Sequence, residues 1–307
     1  MKSAHGRQLA GRLLEALLTL WLLLSLCFVL LRLAPGGPFD AERSEPDEVL
    51  VALNAQYHLD QPIWQQYLHW LGELARGDLG PSFQYPDHRV TTLLAEALPV
   101  TVMTGGAALL MAVLGGLGIG MLSAHHHGGR LDRILMSISG LGLALPKYVV
   151  APLMVLLFAV WLRWLPAAGW GEPAQWVLPV LALSLPNLAA SSRLVRAATL
   201  DALHSDALRA ARARGLSTHR LWLAHILPLV ALPLLAWLSP AMINLVSGSA
   251  VVEQIFSLPG LGRYFVQGAL NRDYTLVMGV VAVVGVAIVL INTLVDVLRA
   301  WIDPRLR

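Results

Sequence analysis

One short stretch of the sequence has the residue types and spacing to bind another protein. It runs from Arg209 to Pro228, reads RAARARGLSTHRLWLAHILP, and places four arginines and Gly215 between two apolar runs. A helix here would have small residues on one side and Arg209 and Arg212 on the other. A small, flat face suits insertion into a groove on a partner, whereas a membrane-surface helix offers bulky apolar side chains. A solvated basic loop is the alternative. The predicted small face consists of Ala207, Leu208, Ala211 and Gly215.

Ionisable residues inside apolar stretches are a second kind of candidate. Lys147 follows Pro146 within the apolar run 134–161. An ammonium inside a membrane is costly, so it indicates a cavity or a partner. For Lys147, a place on a substrate path and snorkelling along a kinked helix both stay open. Asp296 lies near the inner end of the last apolar run and three residues before Arg299, so we expect it either to reach water or to form a helical ion pair with Arg299.

Two other segments carry polar or turn-forming residues. The run His125–His127 could bind a soft metal ion, but consecutive residues point in different directions on a helix, which favours a solvated loop. In the segment EQIFSLPGLG, from Glu253 to Gly262, the pair Pro259-Gly260 predicts a turn that follows an apolar run.

The sequence lacks the motifs of several familiar catalytic sites. A P-loop requires GxxxxGK[ST], yet the only lysines are Lys2 and Lys147, and glycine precedes neither. The glycine run 115–120 lies within an apolar stretch and matches no phosphate-binding motif. HExxH and GxSxG are also absent from the sequence. We therefore expect no catalytic residues, no metal site, no cofactor in this chain and no binding of nucleic acid.

Composition places the chain in a membrane. Of its 307 residues, 56% are apolar and only 13% are charged, well below the charged share of an average soluble domain. A membrane-spanning helix needs about 20 apolar residues. The sequence predicts an all-α membrane protein with a cytoplasmic N-terminus, 1–12, and six transmembrane helices. The predicted spans are 13–33, 100–123, 134–161, 176–192, 226–252 and 276–298.

The distribution of Lys and Arg predicts the orientation, because cytoplasmic loops retain these residues. With both termini inside, 14 of the 22 Lys and Arg residues face the cytoplasm. The first outside loop, 34–98, is acidic, and two proline-initiated segments in it, Pro46 to Tyr57 and Pro62 to Arg76, are predicted to be helices. We expect this loop to be a small folded extracytoplasmic domain, followed by a core of 99–307.

The opening stretch also resembles a known signature. Ala210-Ala211, Gly215 and Leu227-Pro228 have the spacing of the EAA motif of ABC importer permeases, with Arg209 where the consensus has Glu and His225 where it has Ile. Arginine at the first position is usual in the peptide branch. Further segments are similar to the oligopeptide, dipeptide and nickel family of binding-protein-dependent importers, and most similar to its oligopeptide B-type permease subunits. These segments are RLAPGGPFD at 32–40, YHLDQPIWQQY at 57–67, GDLGPSF at 77–83, FSLPGLG at 256–262, GALNRDY at 268–274 and IDPR at 302–305.

The resemblance implies a type I ABC importer permease fold in the bacterial cytoplasmic (inner) membrane. It implies a homologous second permease, two ATPase subunits that bind ATP and Mg, an extracytoplasmic substrate-binding protein and a peptide substrate. The segment 198–225 would couple to the ATPases. By this analogy, the coupling residues are Asp206, Arg209, Ala210, Ala211, Arg212, Gly215 and Leu216, and an outer gate or binding-protein contact involves Glu253, Pro259, Gly260 and Gly262.

Other substrates and one other class of transporter remain as alternatives. Related permeases carry dipeptides, nickel or metal chelates, and the sequence gives no lumen geometry that separates them. A proton-coupled secondary transporter should have titratable residues near the middle of its spans and should need no ATPase. Lys147 is the single Lys, Arg, Asp or Glu that we place near the middle of a predicted span.

Overall fold

Helices make up nearly all the regular structure in the computed structural model, which describes residues 2–34, 55, 57–85 and 88–302. An isolated antiparallel bridge joins Pro81 and Arg89. The helices are α1 (Lys2–Leu33), α2 (Ile63–Ala75), α3 (Val90–His125), α4 (Arg130–Ala144), α5 (Lys147–Trp161), α6 (Pro173–His204), α7 (Asp206–Ala213), α8 (Thr218–Ile255), α9 (Leu261–Leu270) and α10 (Tyr274–Ile302). The final turns of α5 (Val155–Trp161) and an early part of α8 (Leu221–Ile226) are π-helical.

Five helices in the described residues are long and apolar enough to cross a membrane: the Leu14–Leu33 part of α1, then α3, α6, α8 and α10. The pair α4 and α5 would form a sixth span, but it is bent by 105°. The sequence predicted one continuous helix over 134–161, and the structure corrects this. Leu145 and Pro146 are both extended, because proline disfavours helical geometry in the residue before it and offers no N–H to the preceding turn.

The chain divides into two compact units, and the first comprises Met1–Pro99 and Gly260–Val289. In this unit α2 packs on α1: the ring of Phe28 lies 5.2 Å from that of Tyr67 and 5.8 Å from that of Trp70. The predicted helix from Pro62 to Arg76 is confirmed, with Pro62 preceding its first turn. The predicted helix from Pro46 to Tyr57 falls almost entirely outside the described residues, as do residues 35–40 and 303–305 of the motifs above.

A buried carboxylate organises the loop that precedes α10 in the first unit. Asp273 accepts hydrogen bonds from the Ser82 hydroxyl, from the backbone N–H of Gln84 at 3.1 Å and from that of Leu276 at 3.0 Å. The Thr275 hydroxyl donates to the carbonyl of Pro81 at 2.6 Å. The bonds that Ser82 and Gln84 donate to Asp273 join two segments that are about 190 residues apart in sequence.

The second unit comprises Val100–Pro259 and Leu290–Arg307. Within it α3 and α6 pack closely at two glycines of the run 115–120: a Cβ on Gly116 would overlap the Ser191 side chain, and one on Gly120 would lie 2.6 Å from the Ser192 carbonyl oxygen. The Ser191 hydroxyl donates to the carbonyl of Ala112 at 2.7 Å. Small residues on a membrane helix permit such close approach, so these glycines serve packing.

The expected ion pair near the end of α10 is confirmed. Arg299 Nη1 lies 3.7 Å from Asp296 Oδ1, and Arg299 Nη2 donates to the carbonyl of Ala236 on α8 at 2.7 Å. These contacts give Asp296 a structural role.

Candidate functional site

The arginine-rich stretch forms a short, well-defined helix. Ser205 precedes α7, and its hydroxyl oxygen accepts a hydrogen bond from the Leu208 N–H at 3.4 Å, as an N-cap residue does. After α7, Gly215 has a φ of +77°, and its N–H donates to the Arg212 carbonyl at 2.9 Å. This left-handed conformation favours glycine, so Gly215 ends the helix and turns the chain toward α8.

The structure corrects which face of α7 is free. Leu208 is 1% exposed and Ala211 is 0% exposed, and both lie in a core cluster with Val195 of α6 and Ile226 of α8. Leu216 is half-buried against the same cluster. The expected insertion of the Leu208 and Ala211 face into a partner's groove is therefore excluded for these two side chains, because the chain's own helices cover them. The exposed coupling candidates are Asp206, Arg209, Ala210, Arg212 and Gly215.

The exposed face of α7 is basic and carries small residues. Arg209 lies 3.4 Å from Asp206, but both side chains are largely exposed, so this pair contributes little to stability. Arg212 and Arg214 are exposed, and a Cβ built on Gly215 would meet nothing within 4 Å. Because Leu208 and Ala211 fix the opposite face, these groups form a surface suited to a partner with acidic or carbonyl groups.

An ion pair joins α4 to α6, one of the two helices against which α7 packs, and no spacing in the sequence pointed to it. Asp132 of α4 is 3% exposed and accepts two hydrogen bonds from Arg196 of α6, at 2.7 and 2.8 Å. It also accepts from the Ser123 hydroxyl and from the Gly128 N–H at 2.9 Å. The ring of His127 lies 3.5 Å from Asp132 and 3.0 Å from Arg196, so one residue of the histidine run belongs to this network.

In the sequence, Arg196 is one of 22 Lys and Arg residues and nothing sets it apart. Its partner is 64 residues away, so no local spacing links them. Burial of a carboxylate costs much free energy unless the group is hydrogen-bonded or paired with a positive charge, and Asp132 is both. The pair clamps α4 to α6 near the start of α4.

Lys147 lies at the break between α4 and α5. Its ammonium donates to the carbonyl of Asn244 on α8 at 2.7 Å. The side chain also lies against Gly248, where an added Cβ would overlap it. The ammonium is thus held against α8 by a backbone carbonyl, and this contact favours a fixed position over free snorkelling.

The segment from Glu253 to Gly262 differs from the expected outer contact. Glu253 lies inside α8, is 1% exposed and accepts a hydrogen bond from the Thr101 hydroxyl at 2.7 Å. Gly260 and Gly262 are also buried, whereas Pro259 is exposed. Burial therefore leaves Pro259 as the member of the predicted set whose side chain is accessible to another protein. An ordered turn is present at Phe256 and Ser257, where the Leu258 N–H donates to the Glu253 carbonyl at 2.9 Å, and it lies just before the predicted position at Pro259-Gly260.

The chain matches a known protein family and is similar to several of its members. The family described as "Binding-protein-dependent transport system inner membrane component" matches residues 116–307. The chain is similar to the oligopeptide transport system permease protein OppB of Haemophilus influenzae, at 46% identity over 96% of this chain and 97% of that protein. It is similar to OppB of Salmonella typhimurium at 45% identity over the same shares.

A dipeptide transporter subunit is also similar. The dipeptide transport system permease protein DppB of Bacillus subtilis is 36% identical, over 94% of each chain. Among solved structures, the inward-facing MetNI methionine ABC transporter superposes with a TM-score of 0.59 at 19% identity, over 69% of this chain and 96% of that one. An amino acid ABC transporter gives a TM-score of 0.54 at 21% identity, over 68% and 94% of the two chains. These two likenesses concern the fold.

Proposed function

The chain belongs to the family of binding-protein-dependent transport system inner membrane components, and from that premise we propose that it is the transmembrane permease subunit of an ATP-driven oligopeptide importer. It is a multi-pass protein of the inner membrane. The observation that carries the substrate class is 46% identity to an oligopeptide permease over nearly the whole of both chains, against 36% for a dipeptide permease.

The mechanism is conformational. The substrate would cross as the bundle alternates between outward-open and inward-open states, which ligands bias by binding one state more tightly. ATP and Mg would be bound by two partner ATPase subunits, since this sequence has no P-loop. A homologous second permease would form the other half of the path, and an extracytoplasmic binding protein would deliver the substrate.

The arrangement of α7 supports a coupling role. Its exposed face, with Arg209, Ala210 and Arg212, would dock on an ATPase subunit. Its buried face, through Leu208 and Ala211, packs in a core shared by α6 and α8. A displacement of α7 by the ATPase would therefore be transmitted to two long helices through close-packed side chains.

The orientation with both termini in the cytoplasm is part of this proposal. It places α7 on the side where ATP is available, and it places residues 34–98 and exposed Pro259 on the side of the binding protein. The excess of Lys and Arg in the segments assigned to the cytoplasm supports this orientation.

Dipeptides are the second candidate substrate class, because DppB is related over nearly the whole chain. Nickel and metal chelates belong to the wider family resemblance and have no further support from the described residues. Uptake of labelled peptides of two to eight residues by the assembled transporter would separate dipeptide from oligopeptide transport.

The proposal is tested by purifying the tagged chain from detergent-solubilised native membranes and identifying the retained proteins by mass spectrometry. We expect a second permease of similar length and ATPases with Walker motifs. Recovery of this chain alone, in a preparation that still takes up substrate after reconstitution, would refute the subunit assignment.

A further inference from the structure

The break between α4 and α5 exposes backbone within a stretch that otherwise has the length and composition of a membrane span. Ala144, Leu145 and Pro146 are all exposed, and the helices on either side diverge by 105°. Non-helical backbone at membrane depth is tolerated only where it lies against protein or lines a water-filled cavity. The break therefore faces water or another protein rather than lipid.

Lys147 lies at this break, and within the described residues its ammonium donates fewer hydrogen bonds than it could. A lysine has three N–H donors, and one of them donates to the Asn244 carbonyl. No acidic side chain in residues 2–34, 55, 57–85 and 88–302 forms a salt bridge with it. Its positive charge is therefore balanced by a carbonyl dipole alone within the described part of the chain, and an anion would bind there favourably.

The helix that holds Lys147 presents a polar face beside it. Asn244, Ser247 and Gln254 of α8 are all exposed, and with exposed Val251 they recur every three to four residues along one face. This face extends over about 15 Å at the helical rise of about 1.5 Å per residue. A lipid-facing surface would carry apolar residues, so this strip borders an aqueous path or a partner.

We propose that the Lys147 ammonium binds a carboxylate of the peptide in transit, and that the exposed strip of α8 lines the path beside it. The inference rests on the proposed peptide-importer function and deepens it. Every unmodified peptide carries a terminal carboxylate, which is the anion that a peptide path meets in each cycle. A hydrogen bond between an ammonium and a carboxylate is assisted by both charges and is stronger than one between neutral groups.

The test uses the complete transporter, with its ATPases and binding protein, reconstituted in proteoliposomes. The initial rate of ATP-dependent uptake is measured for a neutral oligopeptide with a free C-terminus and for its C-terminal amide. The quantity of interest is the ratio of the two rates. The binding protein's own preference enters this ratio equally for every permease variant, so differences between variants isolate the permease.

Lys147→Met, which keeps the length and removes the charge, should reduce the ratio of free acid to amide uptake by roughly tenfold. Lys147→Arg, the matched control, should preserve most of it. Gly248→Ala should lower the ratio in the same direction, because the added Cβ would displace the Lys147 side chain while leaving its charge. Co-purification of the ATPases with each variant checks assembly.

An amidated peptide with one glutamate distinguishes the source of the carboxylate. If its uptake by the wild-type complex approaches that of the free acid, and Lys147→Met removes this gain, the site accepts any carboxylate. If the glutamate-containing amide is taken up only as fast as the neutral amide, and Lys147→Met still reduces the preference for the free acid, the site recognises the terminal carboxylate specifically. Both outcomes support the proposal.

The proposal is overturned if the ratio is unchanged in Lys147→Met, and this can happen in two ways: uptake of both peptides stays at the wild-type rate, or uptake of both falls by the same factor. The second would point to a partner subunit's acidic group or to a structural role for Lys147. A wild-type complex that transports neither peptide would instead refute the peptide-importer function itself, so the two failures can be told apart.

Discussion

Ala210 and Ala211 are consecutive residues of α7, yet Ala210 is exposed and Ala211 is completely buried. The two residues therefore lie on opposite faces of the helix, and a different role is proposed for each face. Ala211 anchors the helix to α6 and α8, and Ala210 stands on the face available to an ATPase subunit.

Ala210→Trp should block docking while leaving the permease folded, because the indole would project from the exposed face. We expect at least a tenfold loss of co-purifying ATPase and an unchanged melting temperature of the permease. Ala167→Trp, at another exposed alanine, is the matched control. Ala211→Trp should instead overpack the core and lower the melting temperature. Equal ATPase recovery from Ala210→Trp and Ala167→Trp would argue against docking through this face.

Gly215 offers a graded test of the same surface. A left-handed φ of +77° disfavours most side chains, and Gly215→Ala should destabilise the turn by about 1 kcal/mol although its Cβ meets open space. Gly215→Asn, which tolerates this conformation, should cost less. Gly215→Trp should abolish ATPase association with membrane insertion intact. Retained association of Gly215→Trp, measured by pull-down, would remove Gly215 from the docking surface.

The ion pair between Asp132 and Arg196 makes a strong prediction about stability. Arg196→Leu leaves the Asp132 carboxylate without its charged partner and should cost about 1–3 kcal/mol, because Asp132 keeps its hydrogen bonds from Ser123 and Gly128. The double variant Asp132→Asn, Arg196→Leu should be less destabilised than Arg196→Leu alone. Thermal unfolding of the detergent-solubilised transporter measures both effects.

Arg193→Leu is the control for this pair, since Arg193 is exposed and donates a hydrogen bond to the Met136 carbonyl at 3.2 Å. Similar melting temperatures for Arg196→Leu and Arg193→Leu would mean that the buried pair contributes no more than a surface arginine does.

Glu253 should behave as a core residue. Glu253→Gln can still accept the Thr101 hydrogen bond and should be tolerated, whereas Glu253→Ala leaves an unfilled space and should destabilise by about 1–3 kcal/mol. The exposed neighbour Gln254→Ala should have little effect on unfolding. Selective loss of binding-protein docking in Glu253→Ala, with normal stability, would restore the outer-contact interpretation for this residue.

Sequence patterns predicted much of the helical content and fewer of the side-chain relationships. Apolar run length located the five long apolar helices, because a membrane demands length and composition that are visible locally. Helical periodicity separated the two faces of α7 but could not tell which one faces inward, since that depends on α6 and α8. The run 134–161 looked continuous because apolarity masks the backbone constraint that Pro146 imposes on Leu145.

Long-range polar contacts were the least accessible from sequence. In the sequence, nothing distinguishes Asp132 and Arg196 from other acidic and basic residues, because only the fold brings them together. Glu253 was placed outside the fifth span because a charge at the end of an apolar run predicts a boundary, whereas the Thr101 hydroxyl satisfies it within α8. The Asp296 and Arg299 pair was predictable because its spacing of three residues is local.

The most direct test of the central claim is peptide uptake by proteoliposomes that contain the purified complex, measured with ATP supplied on the ATPase side and with no ion gradient. The account predicts accumulation of an oligopeptide that requires ATP and the binding protein, and that stops in Ala210→Trp. Uptake that proceeds without ATP and follows an imposed proton gradient would contradict it and would favour a secondary transporter.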